Sequence, residues 1–120
     1  MQIADPRTFL RTLFEVAVAA AHPDRLMAAH LPDPPRGRTV VVGAGKASGA
    51  MAAAFERAWS DAERGPLSGF VVTSKGNAVQ TPFIEMAESR HPVPDERSVE
   101  VAERMLKTVS GLTGTTSSWR

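Results

Sequence analysis

The segment TVVVGAGKASGAM, residues 39–51, decides the fold of this 120-residue chain. It opens with a continuous β-branched run, which is typical of a strand covered on both faces, as in a parallel sheet. The run stops at Gly43, and a helical pattern that begins at Lys46 and extends to about Ala62 follows the glycines. A strand, a glycine turn and a helix in this order offer backbone N–H groups to an anion, and Lys46 adds a mobile positive charge. The segment therefore predicts an α/β protein with an anion site at the turn.

Further segments continue the alternation of strands and helices. Residues 69–73 and 83–87 are short apolar runs that predict two more strands, and Asp95 precedes another amphipathic helix. With the opening segment, they predict a right-handed βαβ unit and a mostly parallel sheet. So few strands leave the sheet with an open edge, through which copies of the chain could associate.

A helix is also predicted near the beginning of the chain. Asp5 and Pro6 have the order of an N-cap residue and a first helical residue. Apolar residues then recur at helical spacing and predict one buried stripe, formed by Leu10, Leu13, Phe14, Ala17, Val18 and Ala21.

The composition excludes several classes of partner. Lys and Arg number 14 and Asp and Glu 13, whereas a nucleic-acid-binding domain usually carries a basic stripe. No apolar run is long enough for a membrane span, and the first residues do not have the pattern of a signal peptide. The chain has no cysteine, which excludes disulfides and cysteine-based zinc sites and agrees with a cytoplasmic location. We expect no nucleic-acid or membrane partner.

The glycine turn does not match the two best-known phosphate loops. In a P-loop the lysine is followed by Ser or Thr and the first glycine comes earlier, but here alanine follows Lys46 and position 40 is valine. The dinucleotide fingerprint G-x-G-x-x-G agrees at Gly43 and Gly45 and fails at Ser48. It also requires an acidic residue at the end of the second strand, where this chain has Thr73. Nicotinamide binding is therefore the weaker alternative.

Three basic residues are candidates for ligand contacts. Lys46 stands near a helix N-terminus, where the macrodipole disfavours a cation, so it either meets a phosphate or extends into water. Lys75 follows the second strand at the same carboxyl edge of the sheet, although a solvated loop lysine is the alternative. His91 is a candidate acid or base, and a structural hydrogen bond to the backbone is the more common role for such a histidine.

Taken in order, these segments resemble the glycerate 2-kinase family, whose members are often labelled hydroxypyruvate reductase of tartrate utilisation. The resemblance rests on VVGAGKAS at residues 41–48, GFVVT at 69–73, Ile84-Glu85 and HPVPDERS at 91–98, and it covers residues 5–112. It implies a two-domain enzyme whose amino-terminal domain is Rossmann-like, with three α/β/α layers and a mostly parallel sheet.

The resemblance also implies an activity and site residues. The family transfers the γ-phosphoryl group of ATP, with a divalent metal such as Mg²⁺, to the 2-hydroxyl of D-glycerate or a related hydroxy acid. The lysine of this turn is an active-site residue in the family, which makes Lys46 the expected catalytic residue. An ammonium there would hold the phosphoryl oxygens, because phosphoryl transfer depends on positioning and electrostatics. The expected cofactor-binding residues are Gly43, Ala44, Gly45 and Ser48, and we expect no metal ligand.

The sequence departs from the family pattern in two places. The family continues into another strand and a Ser-Gly-Gly-Gly-Ser loop, whereas residues 113–120 here read TGTTSSWR. We therefore assign residues 1–112 to an incomplete amino-terminal domain and expect the remaining residues to be a disordered tail outside the family pattern. A Gly-His pair that relatives often carry after the second strand is here Gly76-Asn77.

These departures predict a truncated protein. Most nucleotide and metal groups would be missing, so we expect the chain alone to lack kinase activity. Two other functions stay open. One is an NAD(P)H-dependent hydroxypyruvate reductase, and the other is a non-catalytic α/β interaction module.

Overall fold

The structure is a computed structural model that describes residues 3–114 and the backbone of residues 117–119. Its helices are α1 (Pro6–Ala21), α2 (Pro23–Leu26), a 3₁₀ turn (Met27–His30), α3 (Ser48–Asp61) and α4 (Glu96–Val109). Its strands are β1 (Thr39–Ala44), β2 (Leu67–Ser74), β3 (Ile84–Ser89) and β4 (Ser117–Trp119). Within this part of the chain, the strands form one parallel sheet in the order β3-β2-β1-β4.

The sheet lies between helices on both faces, which confirms the predicted α/β fold. On one face, α3 contributes Phe55 and Trp59, whose rings stack with centroids 5.3 Å apart. Short side chains let α3 approach the sheet closely, and these are the buried residues Ala52, Ala53 and Ala54. On the other face, Val101 of α4 contacts Phe70 of β2. All but the last residue of the continuous β-branched run of β1 are buried, because both faces of the strand are covered.

Side-chain caps begin two of the helices where the sequence predicts them. Asp95 accepts a hydrogen bond from the Ser98 N–H (3.3 Å), and the Ser98 hydroxyl accepts one from the Asp95 N–H (3.1 Å). Asp5 accepts hydrogen bonds from the Thr8 hydroxyl and the Arg7 N–H. The hydrogen bond from the Thr8 side chain lowers the pKa of the Asp5 carboxyl below its ordinary value. Such caps involve residues close in sequence, which is why the pattern reveals them.

The buried stripe predicted for α1 is wrong, because no residue of α1 is buried. Phe14 is 69% exposed and Leu10 is 64% exposed, and Leu13 and Val18 also meet water. α1 makes its contacts mainly with α2. An amphipathic helix buries its stripe only when a second surface covers it, and the described elements do not supply that surface.

The last described residues extend the sheet. β4 pairs in parallel with Thr39–Val41, the first half of β1. Residues 115, 116 and 120 of the predicted disordered tail lie outside the described residues. The domain boundary at residue 112 stays a prediction.

A buried carboxylate connects α3 to the beginning of β3. Glu56 is only 3% exposed. Its oxygens accept hydrogen bonds from the backbone N–H groups of Phe83 (3.2 and 3.3 Å) and Ile84 (2.8 Å). A charged group is rarely buried without such partners. Glu56 therefore holds the segment before β3 against α3.

We expect Glu56→Ala to lower the free energy of unfolding by about 3 kcal/mol, because two N–H groups lose a charged acceptor. Glu56→Gln should cost less, since its amide oxygen still accepts. Urea unfolding followed by circular dichroism measures both. The control is Glu100→Ala in α4, which removes an exposed ion pair with Arg97 and should cost less than about 1 kcal/mol. Equal losses for the two alanine variants would contradict this role of Glu56.

Candidate functional site

The glycine turn occupies residues 45–47, between the end of β1 and the beginning of α3. Gly45 has φ +140°, a conformation that L side chains rarely adopt, which explains the glycine at this position. α3 begins at Ser48, two residues after the beginning predicted at Lys46. Helix ends are commonly uncertain by that amount. Lys46 therefore lies in the turn itself.

Side-chain and backbone hydrogen bonds join the turn to the end of β2. The Gly45 N–H donates to the Val72 carbonyl oxygen (3.1 Å), and the Thr73 hydroxyl donates to the Lys46 carbonyl oxygen (3.2 Å). The Ser48 hydroxyl lies 2.6 Å from the carbonyl oxygens of both Gly45 and Val72. These contacts fix the backbone of the turn and leave the side chain of Lys46 exposed.

The turn can offer several positive groups to a ligand. Among the described residues, the N–H groups of Lys46 and Ala47 have no hydrogen-bond acceptor, and Lys46 forms no ion pair. Both N–H groups precede α3, whose N-terminus carries partial positive charge. A phosphate or carboxylate that reached the turn would meet these groups together.

The loop after β2 lies against the first turn of α3. A Cβ added to Gly49 would lie 2.7 Å from the carbonyl oxygen of Asn77, so only glycine allows this approach. The Gly76-Asn77 pair that departs from the family pattern is thus next to the beginning of α3. Lys75, which precedes this pair, is exposed.

Two adjoining cavities open at the carboxyl edge of the sheet. The inner cavity, of about 330 Å³, extends from the glycine turn past the ends of β2 and β3 to α4. The outer cavity, of about 780 Å³, lies towards the loops after β2 and β3. Ligands of open α/β sheets bind at this edge. Residues that line both cavities are Lys46, Ser74, Ser89, Arg90 and His91.

The structure brings together some of the predicted site residues and separates others. Lys46 and His91 line both cavities, and Lys75 lines the outer one. Ala44 and Gly45 line the inner cavity. Their contact with a cofactor stays a prediction.

Gly43 and Ser48 line a different, apolar cavity of about 420 Å³ beside β1, together with Met51. Ala44 lies between the two spaces and contacts both. The hydroxyl of Ser48 has one hydrogen, which the two nearby carbonyl oxygens already attract. The role of Gly43 and Ser48 in cofactor binding also stays a prediction.

Arg90 is a residue that the sequence analysis missed. It directly follows β3, is exposed, and lines both cavities. A basic residue immediately after a strand is the signal that could have identified it, since Lys75 was identified in the same way after the second strand.

The groups that the structure describes at the site suit an anion better than a metal ion. Free N–H groups and an ammonium suit phosphate oxygens. Among the described residues, no cluster of three or more His, Asp or Glu could hold a metal ion. The described residues by themselves therefore do not form a site for the divalent metal of the family.

Comparison with known proteins identifies relatives. A family model described as "Domain of unknown function (DUF4147)" matches residues 9–117. A protein of Agrobacterium vitis named "Putative hydroxypyruvate reductase" is 53% identical over 106 residues, which are 88% of this chain and 24% of that protein. The "D-glycerate 2-kinase" of Thermotoga maritima is 32% identical over 114 residues, covering 90% of this chain and 26% of that protein.

Solved structures give the same relationship. A glycerate kinase from Thermotoga maritima superposes with a TM-score of 0.69 at 28% identity, over 94% of this chain and 28% of that chain. A protein from Pyrococcus horikoshii superposes with a TM-score of 0.68 at 28% identity, over 98% of this chain and 29% of that chain. This chain therefore spans about a quarter of the length of the relatives it matches.

Proposed function

The chain belongs to the DUF4147 family, and from its similarity to a D-glycerate 2-kinase we propose that it forms part of a glycerate 2-kinase. The reaction would transfer the γ-phosphoryl group of ATP to the 2-hydroxyl of D-glycerate or a related hydroxy acid. The resemblance to glycerate 2-kinases is confirmed by the similarity to the Thermotoga maritima protein of that name. The activity itself is our proposal, because the chain spans only a quarter of that protein.

One observation in the structure carries the proposal. Lys46 lies at a rigid glycine turn, beside two N–H groups without acceptors and at the rim of both carboxyl-edge cavities. No carboxylate of the described residues forms an ion pair with Lys46. This arrangement supports the binding of a phosphoryl group, whose charge is spread over three oxygens during transfer.

Each group of the turn would have a distinct role. The N–H groups of Lys46 and Ala47 would orient the phosphoryl oxygens, and the ammonium of Lys46 would stabilise their negative charge as the new bond to the 2-hydroxyl forms. Because hydrogen bonds to β2 fix the turn before the substrate arrives, little reorganisation would be needed during the reaction.

The residues at the end of β2 argue against the alternative function, a hydroxypyruvate reductase. A dinucleotide site needs a carboxylate there to bind the ribose hydroxyls. Thr73 and Ser74 stand at this position, and the Thr73 hydroxyl is occupied by the carbonyl oxygen of Lys46. The end of β2 therefore lacks the carboxylate that the reductase in the name of the Agrobacterium vitis relative would need to bind a dinucleotide.

The partner we propose is a small acid. Within residues 3–114 and 117–119, every helix is too short or too polar to cross a membrane. We retain the cytoplasm as the proposed location because the chain contains no cysteine.

Association of copies through a sheet edge stays a prediction.

A chimera tests the proposed function. Residues 1–114 would be joined to the rest of the Agrobacterium vitis relative, which is 53% identical in the matched region. We expect the chimera to phosphorylate D-glycerate at the 2-position, detected by ³¹P NMR of the product. Oxidation of NADH by hydroxypyruvate without any phosphorylation would support the reductase and contradict the kinase.

The chain alone should show no measurable phosphorylation of D-glycerate. Its described residues contain no metal-binding cluster, and its site is formed by one edge of one sheet. A coupled assay of ADP release, with the chimera as the positive control, measures this. Turnover by the chain alone at a rate close to that of the chimera would contradict the expectation.

A further inference from the structure

We propose that Arg90 binds the carboxylate of the hydroxy acid, at the end of β3, while Lys46 faces the phosphoryl group beyond the end of β1. This inference rests on the proposed function and adds to it a substrate-binding residue.

The carboxylates near the cavities are already bound to the protein. Glu88 accepts hydrogen bonds from the N–H groups of Gly76 (3.1 Å) and Ala78 (3.4 Å). Asp95 accepts from the N–H of Ser98 and so caps α4. Both acids therefore hold loop or helix backbone in place and are not directed to a basic side chain.

Three basic side chains around the cavities, in contrast, have no partner in the described part of the chain. Among the described residues, the side chains of Lys46, Lys75 and Arg90 form neither an ion pair nor a hydrogen bond. Arg97 differs from them because it pairs with Glu100 at 2.8 Å. Cations without partners on a cavity wall favour an anionic ligand.

Strand order separates the backbones of two of these cations by a distance that their long side chains can close around a small phosphorylated acid. Arg90 follows β3, Lys46 follows β1, and β2 lies between them. Neighbouring strands are about 4.8 Å apart, so the ends of β1 and β3 are about 10 Å apart. A 2-hydroxy acid carries its carboxylate on the carbon next to the hydroxyl that receives the phosphoryl group. Long side chains reaching inward from both ends could hold these two negative groups.

Arginine suits the carboxylate and lysine suits the phosphoryl group. The planar guanidinium binds a carboxylate with two parallel hydrogen bonds, whereas an ammonium acts as a point charge. The hydroxyls of Ser89 and Ser98 lie 2.9 Å apart and join the end of β3 to α4, which fixes the backbone that carries Arg90. The inner cavity of about 330 Å³ is at the small end of the range for ligand pockets, as a small acid requires.

NMR titration of the 120-residue chain tests the proposal without needing catalysis. D-glycerate, its uncharged amide D-glyceramide and inorganic phosphate would each be added to ¹⁵N-labelled protein. We expect D-glycerate to shift the amide signals of residues 89–91, and phosphate to shift those of residues 45–48. D-glyceramide should bind at least tenfold more weakly than D-glycerate.

Two variants complete the experiment. Arg90→Gln should raise the Kd for D-glycerate at least tenfold and leave the Kd for D-glyceramide within twofold. Arg90→Lys should restore part of the affinity. The control, Arg38→Gln, removes the same charge from an exposed arginine just before β1, at the opposite edge of the sheet, and should change neither Kd.

Several results would overturn the assignment of Arg90. One is an equal loss of D-glycerate and D-glyceramide binding in Arg90→Gln, which would indicate a structural role. Another is a D-glycerate titration that shifts the amide signals of residues 45–48 and not those of residues 89–91, or that shifts no signal at all.

One combination of results separates this assignment from the proposed function. An inactive chimera together with selective loss of D-glycerate binding in Arg90→Gln would support the acid site and contradict the kinase.

Discussion

Lys46→Met should lower kcat for phosphoryl transfer by about 10²- to 10³-fold in the chimera of residues 1–114 with the rest of the Agrobacterium vitis relative. Methionine keeps the length and apolar character of the side chain and removes its charge. The backbone of the turn should not move, since it is held by hydrogen bonds to Val72 and Thr73. The loss would then reflect the electrostatic stabilisation of the phosphoryl oxygens.

Steady-state kinetics distinguishes this loss from weaker substrate binding. An interaction made only in the transition state lowers kcat and kcat/KM equally, so KM for D-glycerate should change little. Lys107→Met is the matched control, because Lys107 is exposed in the last turn of α4 and lines neither carboxyl-edge cavity. If Lys46→Met and Lys107→Met were equally active, Lys46 would have no catalytic role.

Gly69→Ala should cause the largest loss of stability, at least about 3 kcal/mol. A Cβ at this position of β2 would overlap the carbonyl oxygen of Val41 in β1 and lie 3.0 Å from its carbonyl carbon and nitrogen. These atoms belong to the backbone of a paired strand, so they cannot rotate away as a flexible side chain would. Relief would require β1 and β2 to separate in the middle of the sheet.

Gly43→Ala is the matched control for this prediction. Gly43 lies in β1, and a Cβ added there meets no atom within 4 Å. Alanine in a strand loses less conformational entropy on folding than glycine, so the control should be neutral or slightly stabilising. Thermal unfolding followed by circular dichroism compares the two variants. A Gly69→Ala protein that melts with the wild-type chain would show that the two strands can move apart.

Much of the fold was predictable because its signals are local. The β-branched run gives β1, and Asp95 with Ser98 gives the beginning of α4, since each depends on residues that are close in sequence. The apolar stripe of α1 is also a local signal, yet the burial that it predicts is wrong. A hydrophobic pattern identifies the face of a helix that should be covered, but it does not say whether the covering surface is present.

The candidate site was predictable only in part, for a related reason. Lys46 was identified because the glycine turn is contiguous in sequence. Arg90 lines the same cavities from the end of another strand. The carboxylate of Glu88 accepts hydrogen bonds from backbone N–H groups twelve and ten residues earlier in the sequence, so it is not directed to a basic side chain. Such relationships arise only when β1, β2 and β3 are aligned, so spacing along the sequence does not contain them.

The uncovered face of α1 has a consequence for the life of the protein in a cell. Leu10, Leu13, Phe14 and Val18 present large apolar side chains to water on one helix. Surfaces of this kind promote aggregation and are recognised by chaperones and proteases. The abundance of the chain should therefore depend on how soon a complementary surface shields this helix, independently of whether the glycine turn is intact.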